Sequence, residues 1–288
     1  MLIHRTAIVH PDAKLDPGVE VGAYSVIGKD VTIEAETKVG SHVVIDKNTR
    51  IGPNCRVFSH AVLGSDPQDL KYKGSDSWVE IGGGTVIREF VTVNRGSTEG
   101  AVTRVGAGCL LMTGVHIAHD CQVGNGVIMA NLATLGGFCE IEDKAVIGGL
   151  AVAHQFVRIG TMTMVGGTAG LLQDAPPYMM VFGPAPARVV NINSIGLRRN
   201  GVTSDVRSHL RQAFKILYRN GLTTNQSLDE IERTLPSSDE IKHLLQFYRN
   251  SSRGLCQAVH AVAVGETSAV GSVDNPFFDE LTAGIPAT

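Results

Sequence analysis

The chain has few aromatic residues and few charges for its length. Of its 288 residues, 5% are aromatic, one is tryptophan and 18% are charged, while 43% are hydrophobic. This composition excludes a fully disordered chain, which would be less hydrophobic and more highly charged. It also excludes a core built on large rings, so the interior must consist mainly of valine, isoleucine, leucine and alanine.

Excess positive charge, long apolar runs and paired cysteines are also absent. The net charge is −3, which gives no reason to expect nucleic-acid binding. No apolar stretch approaches the roughly 18 residues of a membrane span, and the opening MLIHRTAIVHPDAK lacks the apolar core of a signal peptide. None of the five cysteines forms a CxxC pair. We therefore expect a reduced, cytoplasmic protein with no integral membrane segment.

What the sequence does contain is a six-residue repeat. Written in sixes from Ala7, it begins AIVHPD, AKLDPG, VEVGAY, SVIGKD and keeps this frame to Asp174 with two interruptions. The third residue of all twenty-five hexads is apolar. A helix would repeat every 3.6 residues and a simple strand every 2, so neither explains the pattern. Short strands joined by tight corners do explain it: three hexads form one triangular coil of a parallel β-helix, and coils stack at about 4.8 Å.

Two further positions of the hexad are restricted. Glycine occupies the fourth position of twelve hexads, which indicates either a positive φ or a close approach of two backbones. The first position is mostly small. Four cysteines occupy it, and we expect them to pack inside the β-helix rather than to react: Cys55, Cys109, Cys121 and Cys139.

The repeat is interrupted at 67–78 (PQDLKYKGSDSW) and at 97–102 (STEGAV). A repeat that keeps its phase across an insertion expels the insertion as a loop. Such loops often carry function, although a tolerated surface insertion would give the same pattern.

The repeat ends after Asp174, and the remaining sequence predicts helices. One is expected over 202–221, with Ser204 as its N-cap and Gly221 at its end, and two more near 226–235 and 238–250. The sequence therefore predicts a mainly β protein: a β-helix domain over 1–190, a helical domain over 191–255, and a largely disordered tail over 256–288.

Three histidines fall on one side of the predicted β-helix. His116 and His119 lie in the hexad 115–120 and His154 lies two full coils later, so His119, Gly137 and His154 are expected along one edge. Three interpretations stay open. His119 could be a general base oriented by Asp120 or by a nearby carbonyl, with glycine N–H groups stabilising an oxyanion. The three histidines could bind a metal, or they could be solvated surface residues.

Five motifs occur together and in order: QDLKY (68–72), HIAHDC (116–121), VAHQF (152–156), QDAPPY (173–178) and GLRRNG (196–201). Together they resemble the UDP-N-acetylglucosamine 3-O-acyltransferases, the family that makes the first acyl transfer of lipid A synthesis. The likeness covers about residues 1–255.

The resemblance implies a left-handed β-helix, a homotrimer with active sites between neighbouring subunits, and no dissociable cofactor or metal. The left-handed coil does not follow from the period, since most crossovers are right-handed. The acyl donor would be a 3-hydroxyacyl thioester on acyl carrier protein, and the acceptor would be the 3-hydroxyl of UDP-GlcNAc.

The resemblance also implies the roles of individual residues. His119 matches the general base, Asp120 its supporting residue, and Gly137 the glycine whose N–H binds the thioester oxyanion. Contacts to the sugar nucleotide and the acyl chain are implied at two sets of residues: Gln68, Asp69 and Lys71 in the first insertion, and His116, His154 and Gln155 in the repeat.

Three more matched positions lie towards the carboxyl end. Asn193 and Arg199 match residues that hold UDP, and one inserted residue near 188–192 makes Asn191 a rival for Asn193. Gly167 matches the site that sets acyl-chain length, where a glycine leaves room for a longer chain.

Two positions depart from the commonest family pattern. Asn94 and Phe138 stand where the family often has histidine. Asn94 can still donate and accept hydrogen bonds, whereas Phe138 cannot make a polar sugar contact. An N-acyltransferase acting on a UDP-amino-sugar therefore stays open as an alternative. A metal-dependent hydratase on the same fold and an inactive scaffold are further alternatives.

Overall fold

Each hexad forms a short strand followed by a corner, and its third residue points inward. In the computed structural model, which describes residues 2–258, the side chains of Ile27, Ile117 and Leu135 are fully buried on the axis of the coil. Parallel pairing joins each strand to the equivalent strand of the next coil, as Ile117 pairs with Leu135. The predicted fold, a left-handed parallel β-helix of hexapeptide repeats followed by α-helices, is confirmed.

Three sheets form the faces of the triangular coil. Sheet A contains β1 (Leu2–Ile3), β4 (Glu20–Val21), β7 (Lys38–Val39), β10 (Arg56–Val57), β13 (Val86–Ile87), β16 (Leu110–Leu111), β19 (Ile128–Met129), β22 (Val146–Ile147), β25 (Met164–Val165), β27 (Met179–Phe182) and β28 (Arg188–Ile192). Sheet B contains β2 (Ile8–Val9), β5 (Val26–Ile27), β8 (Val44–Ile45), β11 (Val62–Ser65), β14 (Thr92–Asn94), β17 (His116–Ile117), β20 (Thr134–Leu135), β23 (Val152–Ala153) and β26 (Gly170–Leu171). Sheet C contains β3 (Lys14–Leu15), β6 (Thr32–Ile33), β9 (Thr49–Ile51), β12 (Trp78–Ile81), β15 (Val102–Val105), β18 (Gln122–Val123), β21 (Glu140–Ile141) and β24 (Arg158–Ile159).

The fourth-position glycines are explained by close backbone approach. A Cβ added to Gly22 would lie 2.6 Å from the carbonyl carbon of Gly40 in the next coil. Positive φ occurs instead mainly at the sixth position, for example 57° at His42 and 61° at Phe138, and among the fourth-position glycines only Gly64 has it, at 83°. The left-handed residue of each corner is therefore mostly not a glycine, which the sequence pattern alone does not indicate.

The first position of the hexad is small because its side chain is buried, as at Val19 and Ala61, and where that side chain is polar it hydrogen-bonds to the next coil. The hydroxyl of Ser25 donates to the carbonyl oxygen of Gly40 at 2.7 Å, and the thiol of Cys121 donates to that of Gly136 at 3.2 Å. All five cysteines are buried and free, so the expectation that those in the repeat pack inside the β-helix is confirmed.

The helical segment packs into the same compact unit as the β-helix, through residue 258. β27 continues sheet A beyond the last hexad, and β28 pairs with β27 in the antiparallel direction. Four helices follow: α1 (Ser194–Arg199), α2 (Ser204–Arg219), α3 (Thr224–Thr234) and α4 (Asp239–Arg249). None of the described helices is long and apolar enough to cross a membrane.

Two sequence expectations need correction here. The N-cap of α2 is Thr203 rather than Ser204, since the Thr203 hydroxyl accepts the N–H of Val206. The predicted tail begins too early, because Cys256 and Ala258 are buried and pair with the β-helix. The rest of the predicted tail, 259–288, lies outside the described residues.

Candidate active site

The corner that follows each sheet B strand, here called the B–C edge, gathers most of the predicted site. It carries Ala118–Asp120, Gly136–Phe138 and His154–Phe156 on successive coils. Both insertions leave the β-helix at this edge as well, the first between β11 and β12 and the second between β14 and β15. The expectation that His119, Gly137 and His154 share one edge is confirmed.

His119 is held against Asp120 in a defined orientation. The His119 side chain is 11% exposed, and its Nδ1 lies 2.7 Å from Oδ2 of Asp120. The carboxylate also accepts the backbone N–H of Ser97, at 3.2 and 3.1 Å to its two oxygens. Because a carboxylate only accepts, Nδ1 carries the proton and Nε2 is left with a lone pair. Within residues 2–258, Nε2 has no hydrogen-bond partner.

The Asp120 backbone is fixed from the coil below. Its φ is +63°, and its N–H donates to the Thr103 hydroxyl at 2.7 Å. Thr103 is fully buried at the first position of its hexad. The left-handed conformation of Asp120 and the hydrogen bond of its N–H therefore hold the His119–Asp120 pair rigidly.

Gly137 lies directly beside the imidazole in the next coil. The N–H of Phe138 donates to the carbonyl of His119 at 3.0 Å, which fixes the two corners against each other. A Cβ added to Gly137 would lie 2.6 Å from Cε1 and 2.8 Å from Nε2 of His119. Only glycine fits there without displacing the ring. Among the described residues, the Gly137 N–H has no hydrogen-bond acceptor, while those of Gly136 and Phe138 are both used.

The histidines do not assemble into a metal site. Nδ1 of His116 hydrogen-bonds to the Thr92 hydroxyl at 2.7 Å, and His154 lies exposed on the edge two coils beyond His119. Burial, and then the charge of nearby His119, lowers the pKa of His116. No group of three or more possible metal ligands occurs in residues 2–258, so the metal-ligand interpretation of these histidines has no geometric support.

The first insertion is tied to the B–C edge by a buried arginine. Arg95 is 2% exposed and donates to the Gly64 carbonyl, the Asp66 carboxylate and the Tyr72 hydroxyl. This leaves Gln68 and Lys71 exposed and Asp69 half-buried at the rim of the edge. The three predicted contacts of the loop thus lie on the chain segment that Arg95 anchors.

The two positions that depart from the family pattern take different roles. The amide nitrogen of Asn94 donates to the Asp66 carbonyl at 2.7 Å, and its oxygen is buried without a partner in the described chain. Phe138 packs edge-on against the His119 ring at 5.3 Å between centroids and stacks on Phe156 at 4.8 Å. Phe138 therefore contacts the imidazole through its ring.

Three predicted site residues lie away from this edge in the single chain. Gly167 lies on the corner after sheet A. Asn193 is the N-cap of α1: its side-chain oxygen accepts the N–H of Gly196 at 3.0 Å, and its amide donates to the Met162 carbonyl at 2.8 Å. Its rival Asn191 is exposed, as is Arg199 at the end of α1.

Sequence reasoning missed Ser97, Thr103 and Arg95, which hold the pair and the loop. One signal was present. Three hexads separate the two insertions, and the hexad of His119 (115–120) is the third hexad after the second insertion, so both insertions and the corner of His119 fall on one edge.

A hexapeptide β-helix with a histidine–carboxylate pair beside a glycine defines a hexapeptide-repeat acyltransferase. The family model for bacterial transferase hexapeptides (six repeats) matches residues 24–59 and 103–137, and the model for domain 2 of UDP-N-acetylglucosamine O-acyltransferase matches 174–256. The chain belongs to the acyl-[acyl-carrier-protein]–UDP-N-acetylglucosamine O-acyltransferase family, as its motifs predicted.

The relatives match over nearly their full length. The enzyme of that name from Trichlorobacter lovleyi is 53% identical over 260 residues, covering 89% of this chain and 100% of the relative. The one from Thermodesulfovibrio yellowstonii is 45% identical over 256 residues, 88% of this chain and 99% of the relative. Among solved structures, LpxA from Acinetobacter baumannii is 41% identical with a TM-score of 0.85, covering 89% of this chain and all of that one.

Proposed function

We propose that the protein transfers a 3-hydroxyacyl chain from acyl carrier protein to the 3-hydroxyl of UDP-GlcNAc, the first step of lipid A synthesis. The observation that carries the proposal is the placement of His119 Nε2 beside Gly137, with Nδ1 held by Asp120. The names and identities of the relatives support the substrates. The cytoplasm, where the carrier and sugar nucleotide are expected, is the proposed compartment.

In the proposed reaction, Nε2 of His119 removes the proton from the sugar hydroxyl as the oxygen attacks the thioester carbon. The carbonyl becomes an oxyanion, which the Gly137 N–H stabilises. The C–S bond then breaks, and the His119 imidazolium returns the proton to the thiolate of the carrier's phosphopantetheine. Asp120 stabilises the transient imidazolium and keeps its ring oriented. These steps need no cofactor or metal, and none is proposed.

Substrate contacts are proposed from the residues that border this edge. Gln68, Asp69 and Lys71 on the anchored loop and Asn94 beside it would contact the sugar and the acyl chain. His116, His154 and Gln155 would contact the sugar nucleotide or the acyl chain from the repeat. Phe138 would pack against the sugar or the acyl chain through its ring rather than through a polar group.

The UDP contacts are proposed at α1 and the strand before it. Arg199 is exposed and cationic, which suits a diphosphate. Asn193 uses both of its side-chain polar atoms within the chain, whereas Asn191 is exposed and uses its oxygen to accept the Ile192 N–H, so the amide nitrogen of Asn191 is the better candidate for a side-chain contact. Asn193 would then act by capping the helix that carries Arg199.

A homotrimer is part of the proposal, and the separation of the predicted residues supports sites shared between copies of the chain. Gly167 would limit the acyl chain, yet it lies on the corner after sheet A rather than on the B–C edge. A second copy that sets its sheet A corner against the B–C edge would bring Gly167 to the reacting atoms. This supports sites between neighbouring subunits.

One observation favours a second acceptor. Phe138 contacts the His119 ring where the family often has a histidine, so a polar contact to the sugar is missing beside the base. A 3-amino sugar would be acylated by the same base and oxyanion donor. Purified protein should be incubated with UDP-GlcNAc, its 3-amino analogue and a panel of 3-hydroxyacyl carrier proteins, with product followed by mass spectrometry. Ester on UDP-GlcNAc supports the main proposal. Amide formed only on the analogue would move the substrate and retain the mechanism.

A further inference from the structure

The segment after α4 returns to the B–C edge and is fastened there by Asp174. This aspartate is fully buried, and its carboxylate accepts the Ser251 hydroxyl at 2.7 Å and the Arg158 N–H at 2.9 Å. Its backbone N–H donates to the Gly254 carbonyl at 2.8 Å, and its carbonyl accepts the Cys256 N–H at 2.9 Å. Three of these hydrogen bonds, those to Ser251, Gly254 and Cys256, fix the segment relative to the coil that follows His154, and the fourth, from Arg158 of β24, holds the carboxylate in place.

The fastened segment carries Arg253 to a residue of the candidate site. Its Nε donates to the Leu172 carbonyl at 2.8 Å, and its Nη2 lies 2.9 Å from Nδ1 of His154. Two donors of one planar guanidinium are therefore used, which fixes its orientation. Arg253 and His154 are 99 positions apart in the sequence, so no local motif indicates their contact.

Two contacts of His154 Nδ1 demand opposite tautomers. The Gln155 carbonyl lies 3.2 Å away and would require Nδ1 to donate, whereas Arg253 requires it to accept. Arginine remains protonated and has no acceptor, and its contact is the shorter one. The contact with Arg253 therefore determines the tautomer of His154, whose imidazole carries its proton on Nε2.

We propose that Arg253 is a positioning residue of the active site, which fixes His154 as the Nε2–H tautomer so that it donates a hydrogen bond to a substrate oxygen. This inference rests on the proposed acyl transfer for its functional part. The oxygen could belong to the sugar nucleotide or to the acyl donor. A KM measured separately for each substrate distinguishes the two.

The test compares Arg253→Met with Arg249→Met, each in the otherwise wild-type protein and in His154→Ala. Arg249 is matched because it lies near the same carboxyl end and pairs with Glu232 on the helical segment. Arg253→Met should lower kcat/KM about tenfold, the size expected for losing a charge-assisted hydrogen bond, mainly through the KM of one substrate. In the His154→Ala background the same change should cost less than about twofold. Arg253→Lys should restore little, since lysine lacks the planar fork whose Nε and Nη2 make the two contacts.

A second measurement does not depend on activity. The ring nitrogen shifts of His154, assigned as the signal missing from His154→Ala, should report the Nε2–H tautomer in the wild type and a mixture in Arg253→Met. The proposal is overturned if kcat/KM falls equally in both backgrounds, if it does not fall at all, or if the tautomer is unchanged. Should the wild type acylate neither sugar, the proposed function fails, and the nitrogen shifts still decide the role of Arg253.

Discussion

Histidines occur on two edges of the β-helix, in very different surroundings. On the corner after sheet A, here called the A–B edge, Tyr24, His42, His60 and Phe90 form a continuous stack with 5.1 Å between successive ring centroids. Among the described residues, neither histidine of the stack has a carboxylate partner. On the B–C edge, His119 is buried against Asp120. A histidine at a corner therefore does not by itself form a histidine–carboxylate pair.

The difference lies in the hexad position and in the insertions. His42 and His60 occupy the sixth position, where a positive φ directs the side chain outward to stack on the equivalent residue of the next coil. His119 occupies the fifth position, where it meets Gly137 of the next coil and Asp120 beside it. Ser97, the first residue of an insertion, then holds the carboxylate. The A–B edge continues the repeat, whereas the B–C edge interrupts it twice.

The largest expected effect comes from removing the base. His119→Ala should lower kcat/KM for acyl transfer by about 10²–10⁴-fold, the usual cost of losing a general base. His60→Ala, on the A–B edge but five coils away from Gly167, should leave the rate within about twofold. Initial rates with acylated carrier protein as donor measure the activity of both variants, and circular dichroism checks that both are folded. Comparable losses in the two variants would contradict the distinction between the edges.

A single methyl group tests the spacing between coils. Gly137→Ala should lower kcat by about 10²-fold. The added Cβ would lie 2.6–2.8 Å from Cε1 and Nε2 of His119 and would displace the imidazole. Gly83→Ala is the control: it occupies the same hexad position on the third edge, with Pro53 3.0 Å from its Cβ. Rate per folded molecule is compared after thermal melts. If both alanines retain full activity, the imidazole does not act from its observed position.

The repeat could be predicted far better than the contacts that cross it. The apolar third position places Ile117 and Leu135 inside, and counting hexads places His119, Gly137 and His154 on one edge. Both follow from periodicity, because each coil repeats the same few local interactions. The role of the fourth-position glycines stayed open because both explanations give the same pattern.

The support of the site could not be predicted, because it comes from outside the hexad frame. Ser97 reaches Asp120 from an insertion with no period, and Arg253 reaches His154 across 99 residues. Likewise Cys256 and Ala258 follow a segment of irregular composition, yet their burial depends on pairing with Asp174 and Val189. Such contacts are specified by tertiary packing, which a single sequence does not display.

The support of Asp120 predicts a separation of stability from activity. Thr103→Val leaves the buried N–H of Asp120 without an acceptor and should cost about 1–3 kcal/mol of unfolding free energy. It should also lower kcat about tenfold by loosening the pair. Thr85→Val removes an equivalent buried hydroxyl on sheet A, which bonds the Gly106 carbonyl and the Cys109 N–H. This variant should lose similar stability and keep its kcat. Equal kcat in the two variants would assign Thr103 a purely structural role.

The smallest effect concerns acid sensitivity, since His116 is half-buried on sheet B while the histidines of the A–B stack are exposed. Burial lowers the pKa of His116. In the unfolded chain this group binds its proton below about pH 6.5, so just below that pH the unfolded state binds more protons than the folded state. The contribution of His116 to stability is therefore fully present above about pH 6.5 and falls as the pH decreases towards the lowered pKa.

His116→Gln should reduce the slope of unfolding free energy against pH in this window by up to about one proton, measured by urea unfolding. Thr92→Val, which removes the hydrogen-bond partner and keeps the titrating ring, should lower stability without removing the slope. An unchanged slope in His116→Gln would show that other groups dominate the acid response.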